Sequence, residues 1–305
     1  MNIIFRDFII CIIIIIVILL YNDIKIKNDK YIISFYSPKS GFGLGDYIRG
    51  LIYLYQKTNK YIIADYRNHI ISNFLYNDLI THYPIYNENN KIIKLKDGCN
   101  IDNNIFIDFF NYYLVINLHY ENKIISNNII DNIKKTFTMK PEFKLKFENQ
   151  LKKYNLDSGF IALHIRLDDK YFNDKIEIPY FKTLYDFINN TFTKNDKILI
   201  LSNCKKIKDQ ICNKYKFIIQ YPIKPIHTIN EKFTDITKSI SVIDYIKPIT
   251  NNNFEENIID VENTLIEFFT LSKANIIYSF CDNDWQTSGF SKRISEMFNI
   301  KYVQI

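Results

Sequence analysis

Short apolar runs punctuate this chain, and between them the apolar residues recur at helical spacing. In the first half, Tyr31 to Tyr36 (YIISFY) reads as a buried strand. A glycine-bearing loop follows, then a helix from about Asp46 to Thr58 and a second strand at Tyr61 to Asp65. Strand, loop, helix, strand implies a parallel sheet. Asn87 to Asn104 is polar and reads as loop with one short strand, and Tyr113 to Leu118 as a further strand. Helical periodicity over Asn127–Phe137 and Glu142–Tyr154 bridges the two halves. The second half alternates more cleanly. Strands are predicted at Phe160–Ile165, Ile198–Leu201, Phe217–Ile219 and Ile276–Ser279, with helices near Tyr180–Thr191, Lys205–Tyr215, Val261–Leu271 and Ser291–Phe298. That order is the signature of a doubly wound α/β domain. Residues 222–258, with Pro222, Pro225 and Pro248, read as a surface excursion.

The N-terminal run from Phe8 to Tyr21 (FIICIIIIIVILLY) has another character. Counted from Ile3, with Arg6 and Asp7 paired or snorkelling, it approaches the roughly 20 residues that a membrane-spanning helix needs. No small-residue cleavage site follows at Tyr21-Asn22-Asp23. The expectation is an uncleaved signal anchor, preferred to a cleaved signal peptide or a core helix because the run is terminal and uninterrupted. The expected layout is an anchor and stem at 1–28, one Rossmann-like domain at 29–140 and a second at 141–305.

Composition adds little to this reading and excludes some alternatives. A 47% hydrophobic and 16% aromatic content belongs to a folded chain. The net charge of +6 is dispersed, and pairs such as Lys134-Lys135, Lys152-Lys153 and Lys205-Lys206 read as solvated helix faces. No dense basic run interleaved with aromatics speaks for nucleic acid. Five cysteines show no metal-ligand spacing, so no zinc site is expected; Cys99, Cys204, Cys212 and Cys281 are left for lumenal disulfides of unreadable pairing.

The chemistry concentrates in three places. Four of the seven glycines, Gly41, Gly43, Gly45 and Gly50, fall within ten residues. Glycine permits close backbone approach to a ligand, and a strand-to-helix turn offers free N–H groups and a helix dipole to an anion. A tight turn with no ligand is the plainer reading. No GK[ST] follows, so it is not a Walker loop, and the third glycine of a dinucleotide fingerprint is missing. Next, the strand Phe160–Ile165 runs into HIRLDDK, placing His164, Arg166, Asp168, Asp169 and Lys170 where ligands bind α/β sheets. Arg166 offers a planar fork for phosphate oxygens and Lys170 a point charge. A salt-bridged strand end would explain the same residues. Last, the strand at Asn275–Ser279 leads through a polar loop to Ser288-Gly289-Phe290-Ser291, a helix start with hydroxyls and free N–H groups, readable either as an anion cradle or as an ordinary capped helix. Asp282-Asn283-Asp284 forms a DxD of the kind that metal-dependent glycosyltransferases place on a diphosphate, an alternative here because no further oxygen-ligand cluster accompanies it.

In this order the three clusters resemble the fucosyltransferase superfamily of α-1,6-fucosyltransferases and protein O-fucosyltransferases. The stretch GLGDYIRGLIYLYQKTNKYIIADYR is similar to the nodulation-type enzymes at Gly43, Gly45, Asp46, Thr58, Asp65, Tyr66 and Arg67. HIRLDDK is similar to the HxRxxDK signature at His164, Arg166, Asp169 and Lys170, with Leu167 where a second arginine is frequent. LSKANIIYS with SGFSKRISEMF resembles the C-terminal block, and Ser202-Asn203 stands where Ser-Asp is frequent. The resemblance implies a GT-B-like α/β fold, two Rossmann-like domains facing across a cleft. It also implies a glycosyltransferase that moves fucose from GDP-fucose to a glycan or glycoconjugate hydroxyl, with inversion and without metal or cofactor. The N-terminal apolar run adds the expectation of a single-pass membrane protein of secretory-pathway or Golgi-like location. By that resemblance Arg166 binds the diphosphate and is catalytic together with Asp169. His164, Lys170, Ser288, Gly289, Phe290 and Ser291 line the nucleotide pocket, and Gly43, Gly45 and Asp46 approach from the other lobe. The general base is left open among Asp46, Asp65 and Asp169. A metal-dependent transferase using Asp282 and Asp284, or a silent glycan-binding membrane protein, are the alternatives.

Overall fold

In a computed structural model, the structure describes residues 12–16, 31–35, 44–58, 61–65, 70–76, 91–95, 111–115, 125–172, 176–221, 254–282 and 288–305. Two all-parallel sheets organise them. The first takes β1 (Tyr31–Phe35), β2 (Tyr61–Asp65), β3 (Lys91–Leu95) and β4 (Asn111–Val115) in the order β2-β1-β4-β3, with helix α1 (Leu44–Thr58) crossing from β1 to β2. Helices α2 (Asn127–Thr136) and α3 (Pro141–Lys153) lead into the second sheet. That sheet comprises β5 (Ile161–Arg166), β6 (Ile198–Ser202), β7 (Ile218–Gln220), β8 (Ile276–Cys281) and β9 (Lys301–Gln304), ordered β7-β6-β5-β8-β9. Helices α4 (Lys182–Thr191), α5 (Lys205–Lys214), α6 (Phe254–Leu271) and α7 (Gly289–Phe298) connect these strands.

Side-chain alternation along β5 decides which face each residue serves. Leu163, Ile165 and Leu167 join the core beneath α4 and α5, with Leu184, Ile188, Ile207 and Ile211. Ala162 turns the other way, into the core shared with α6 and α7, where Leu265, Phe268, Ile294 and Met297 lie. With a period of two, His164 and Arg166 fall on that second face. Helices on both faces make the second sheet doubly wound, and its strand order reverses between β5 and β8. Every residue of β6 (ILILS) is buried, as a strand covered on both faces requires.

The second core does not stop at its own sheet. Tyr47, Ile48, Leu51, Ile52, Leu54 and Tyr55 of α1 belong to the same continuous core as Phe268, Ile294 and Met297. Their spacing in LGDYIRGLIYLYQKT wraps apolar side chains around most of the helix, so α1 is buried between the first sheet and α7 rather than lying on a surface. Phe268 is fully buried and meets the rings of Phe137, Phe269, Phe290 and Phe298, tying α2, α6 and α7 together.

The predicted elements recur with adjusted bounds. The helix α1 begins at Leu44, ahead of Asp46, so Gly45 lies inside its first turn. The fourth strand is Asn111–Val115 instead of Tyr113–Leu118, because the apolar run YYLVI straddles both choices and does not fix the strand's ends. Helix α6 starts seven residues before Val261, at Phe254, through a polar stretch whose periodicity is weak. Strand β9 was not expected at all; KYVQ is short, and it takes an edge place by pairing with β8. The three described cysteines, Cys204, Cys212 and Cys281, are free thiols, which departs from the disulfide expectation for them. Of the apolar N-terminal run, only Ile12–Ile16 is described, helical and exposed; the rest of the expected anchor lies outside the described residues. Among the described residues, no helix is long and apolar enough to cross a membrane.

One half-buried acid, with a carboxylate oxygen turned inward, departs from the apolar pattern. Glu267 of α6 is enclosed near Lys208, and its Oε1 has no hydrogen-bond partner. Burial pushes its carboxyl up from 4.5 to about 7, against the pull of the Lys208 ammonium. The folded state therefore holds this proton over a pH range in which the unfolded chain releases it. Stability from this group is intact below pH about 4.5 and declines as pH rises toward about 7. Glu267→Gln should accordingly raise the melting temperature at pH 8, a gain on the order of 3 kcal/mol at most, and make little difference at pH 4.5. Thermal unfolding at the two pH values checks this, and an equal effect at both would contradict it.

Candidate active site

The second sheet reverses its strand order between β5 and β8, and ligands of open α/β sheets bind beyond the carboxyl ends at such a point. Arg166 and Cys281 are the last paired residues there, facing one another across the two strands. The Cys281 thiol is the junction of the site. Burial pushes it up to about 11, while the neighbouring Arg166 charge and the Ser288 backbone N–H both favour its thiolate. One sulfur thus feels both the guanidinium of the central motif and the backbone N–H of Ser288, which precedes α7. Nothing in the chain's pattern signals this, since a lone cysteine carries no spacing.

The backbone leaving β5 is held from both sides. Leu167 N–H donates to Asn203 Oδ1 at 2.9 Å and Asn203 Nδ2 donates to the Leu167 carbonyl at 2.8 Å. Arg166 Nη1 donates to that same carbonyl at 2.8 Å. From β8, Asp282 Oδ1 accepts the Asp168 N–H at 2.8 Å, and the Asp282 N–H reaches the Arg166 carbonyl at 3.4 Å. Burial raises the Asp282 carboxyl above its ordinary value, and the Asp168 charge adds to the rise against the pull of Lys170 and two backbone N–H groups. Lys170 is exposed, its Nζ 4.9 Å from the centre of the Tyr171 ring, and Asp169 opens the short 3₁₀ turn Asp169–Phe172.

His164 is buried on the face that Arg166 shares, and its ring lies 6.2 Å from that of Phe290. Burial first, and the Arg166 charge second, push its pKa down to about 3. The imidazole is neutral at any physiological pH and adds no positive charge, and its Nδ1 has no hydrogen-bond partner. A buried, unpaired ring nitrogen is costly unless a ligand hydroxyl or amide completes it.

Helix α7 starts at Gly289 after Ser288, whose side chain makes no capping bond. Ser288 is buried and Gly289 exposed, and Ser291 is fully buried with its hydroxyl 3.4 Å from Ser279 Oγ of β8. Against this turn lies the first turn of α1. A methyl group on Gly45 would come within 3.0 Å of Phe290 N and Cα and 3.1 Å of the Gly289 carbonyl carbon. Two helix N-termini, with their orphan N–H groups and partial positive charges, therefore abut beside Arg166. Like-signed ends repel, and an anion between them removes the repulsion.

The structure thus brings together Gly45, His164, Arg166, Ser288, Gly289 and Phe290. Asp46 is the third residue of α1, and Gly43 lies outside the described residues. Asp284 of the DxD lies outside them too, and the described Asp282 spends one oxygen on a backbone N–H. Among the described residues no group of three or more His, Cys, Asp or Glu is placed to hold a metal ion.

No protein-family model matches the chain, and no curated protein matches it by sequence. Solved structures similar to it include fucosyltransferases. The fucosyltransferase NodZ from Bradyrhizobium is 10% identical, with 87% of this chain and 92% of that one covered at a TM-score of 0.49. A mutant of Arabidopsis thaliana FUT1 in complex with GDP is 9% identical over 90% of this chain and 70% of that one, at a TM-score of 0.49. POFUT1 in complex with GDP-fucose is 9% identical over 91% and 98%, at a TM-score of 0.46. At such values the functional reading rests on this chain's own residues.

The contact between the two helix starts is directly testable. Gly→Ala inside a helix is ordinarily stabilising by about 1 kcal/mol. At Gly45 the added carbon would strike backbone atoms that cannot turn aside, so Gly45→Ala should destabilise by about 1–3 kcal/mol. At Gly289 the carbon would meet nothing within 4 Å, and Gly289→Ala should be close to neutral. Melting temperatures of the two variants decide it; a stabilised Gly45→Ala would refute the contact.

Proposed function

We propose that this chain is a glycosyltransferase that moves fucose from GDP-fucose to a hydroxyl of a glycan or glycoconjugate. On this reading the reaction inverts the anomeric carbon and needs no metal. One observation carries it: Arg166 stands at the reversal point of a parallel sheet, beside two abutting helix starts. The resemblance of HIRLDDK and of the SGFS block to the fucosyltransferase signature gives the donor its identity. Residues 141–305 hold the nucleotide sugar and residues 29–140 face the acceptor.

Departure of a nucleoside diphosphate concentrates negative charge on the phosphate oxygens as the bond to the sugar breaks. Arg166 meets that charge with a guanidinium fork, and the N–H groups opening α1 and α7 add fixed dipoles that need no rearrangement. The acceptor oxygen forms the new bond to the anomeric carbon, the diphosphate leaves with the electron pair, and the acceptor proton passes to a base among Asp46, Asp65 and Asp169. His164, neutral throughout, contributes a hydrogen bond to the nucleotide instead of a charge. Lys170, exposed at the rim, adds a mobile cation.

The decisive measurement is a thermal-shift panel of nucleotides and nucleotide sugars on the chain lacking residues 1–28. GDP and GDP-fucose should stabilise it and UDP-sugars should not; a UDP-selective shift overturns the donor assignment. Arg166→Ala should reduce transfer by at least about a hundredfold with an unchanged melting temperature, and EDTA should leave transfer intact. A protein that binds GDP and releases no fucose would instead be a silent binding module.

The apolar run Phe8–Tyr21 is the proposed membrane anchor, single-pass, in a secretory-pathway or equivalent membrane. The full chain should partition into detergent, and the chain lacking residues 1–28 should remain in the aqueous phase. Equal partition of both would remove the anchor.

A further inference from the structure

We propose that Asn203 is a positioning residue for Arg166, acting through the Leu167 carbonyl to hold the guanidinium toward the diphosphate. The inference rests on the role given above to Arg166, and it concerns a residue that touches no substrate.

Four observations lead to it. The β5–β6 ladder ends at Ile165 and Ser202, so Leu167 and Asn203 lie beyond the last paired rung. There the Asn203 side chain replaces the missing strand. Its amide oxygen takes the Leu167 N–H at 2.9 Å and its amide nitrogen gives to the Leu167 carbonyl at 2.8 Å. The same carbonyl accepts Arg166 Nη1 at 2.8 Å, so both of its lone pairs are engaged, one by Asn203 and one by Arg166. The Leu167 side chain is fully buried on the opposite face, among Ile165, Tyr171 and Phe280, which pins the residue from behind.

The consequence is geometric. A carbonyl just past a strand end is free to rotate with its peptide plane. Fixed by a two-bond amide clamp, it becomes a rigid post, and the guanidinium tied to it has its plane set before any ligand arrives. Fork recognition of phosphate depends on that plane, and a small misplacement of a charged group is costly in rate. In this chain, which has Leu167 where a second arginine is frequent and Asn203 where an aspartate is frequent, the clamp takes a primary amide that donates and accepts at once. A carboxylate at this position would keep the Leu167 N–H and lose the donor to the carbonyl. Asp282 braces the same segment from β8 but bonds to Asp168 N–H and the Arg166 carbonyl, so it does not substitute for the clamp.

The test is a double-mutant cycle read in kcat for fucose transfer and in the Kd for GDP. The variants are Asn203→Asp, Asn203→Ala and Arg166→Lys, together with the Asn203→Asp, Arg166→Lys pair. Asn203→Asp alone should lower kcat about ten- to a hundredfold and weaken GDP binding, with a smaller change in the acceptor KM. In the Arg166→Lys background, where the fork is already gone, the same substitution should change each quantity less than threefold. Equal losses in both backgrounds would overturn the proposal, as would Asn203→Asp with wild-type kcat. If both Asn203 variants fail to fold, the amide is purely structural and the proposal is likewise rejected. Failure of the function itself looks different: the unaltered chain would then bind no GDP, or Arg166→Lys would have no effect.

Discussion

Backbone meets backbone where Gly45 of α1 lies against Gly289 and Phe290 of α7, and the arrangement of the site follows from that contact. It requires glycine on one side and brings two positive helix ends to one point. It also joins the helix that follows β1 to the helix that follows β8, so elements far apart in sequence share one apolar core. Such a core cannot open at that seam without exposing Tyr47, Ile48, Leu51, Phe268 and Ile294 together. The site is accordingly built on rigid elements, as the proposed stabilisation of a leaving group requires.

Around that seam, the charge is distributed with economy. Arg166 is the cation within the strand, and its Nη1 donates to the chain's own Leu167 carbonyl. His164, which the resemblance places in the nucleotide pocket, is kept neutral by burial. A histidinium buried next to a guanidinium would repel it, so the low pKa is the state compatible with both residues sharing one face. The polar partners of the strand exit, Asn203 and Asp282, come from the two neighbouring strands, β6 and β8, and a parallel sheet supplies them at the same height.

Much of this was legible in the residues. The apolar run ending in HIRLDDK located both the strand and the face of its charges, because alternation with a period of two leaves no other choice. The concentration of glycines in an otherwise glycine-poor chain marked the α1 start, although the reason was a close approach between helices as much as a turn. What the sequence withheld is of one kind. The Asn203 clamp, the Cys281 junction and the burial of Glu267 are contacts between residues distant in the chain, and no periodicity records them. Strand β9 was missed because an edge strand of KYVQ has too little apolar alternation to stand out. The thiols at Cys204, Cys212 and Cys281 escaped because spacing speaks to metal sites but not to whether cysteines face one another.

The Cys281 thiol has a consequence for how Arg166 keeps its charge. A thiol pushed up to about 11 is ionised to roughly one part in ten thousand at neutral pH. The sulfur beside the guanidinium therefore does not act as a built-in counter-ion. The same protonation makes the sulfur a poor nucleophile. Electrophiles and oxidants that attack through the thiolate would react slowly with this sulfur.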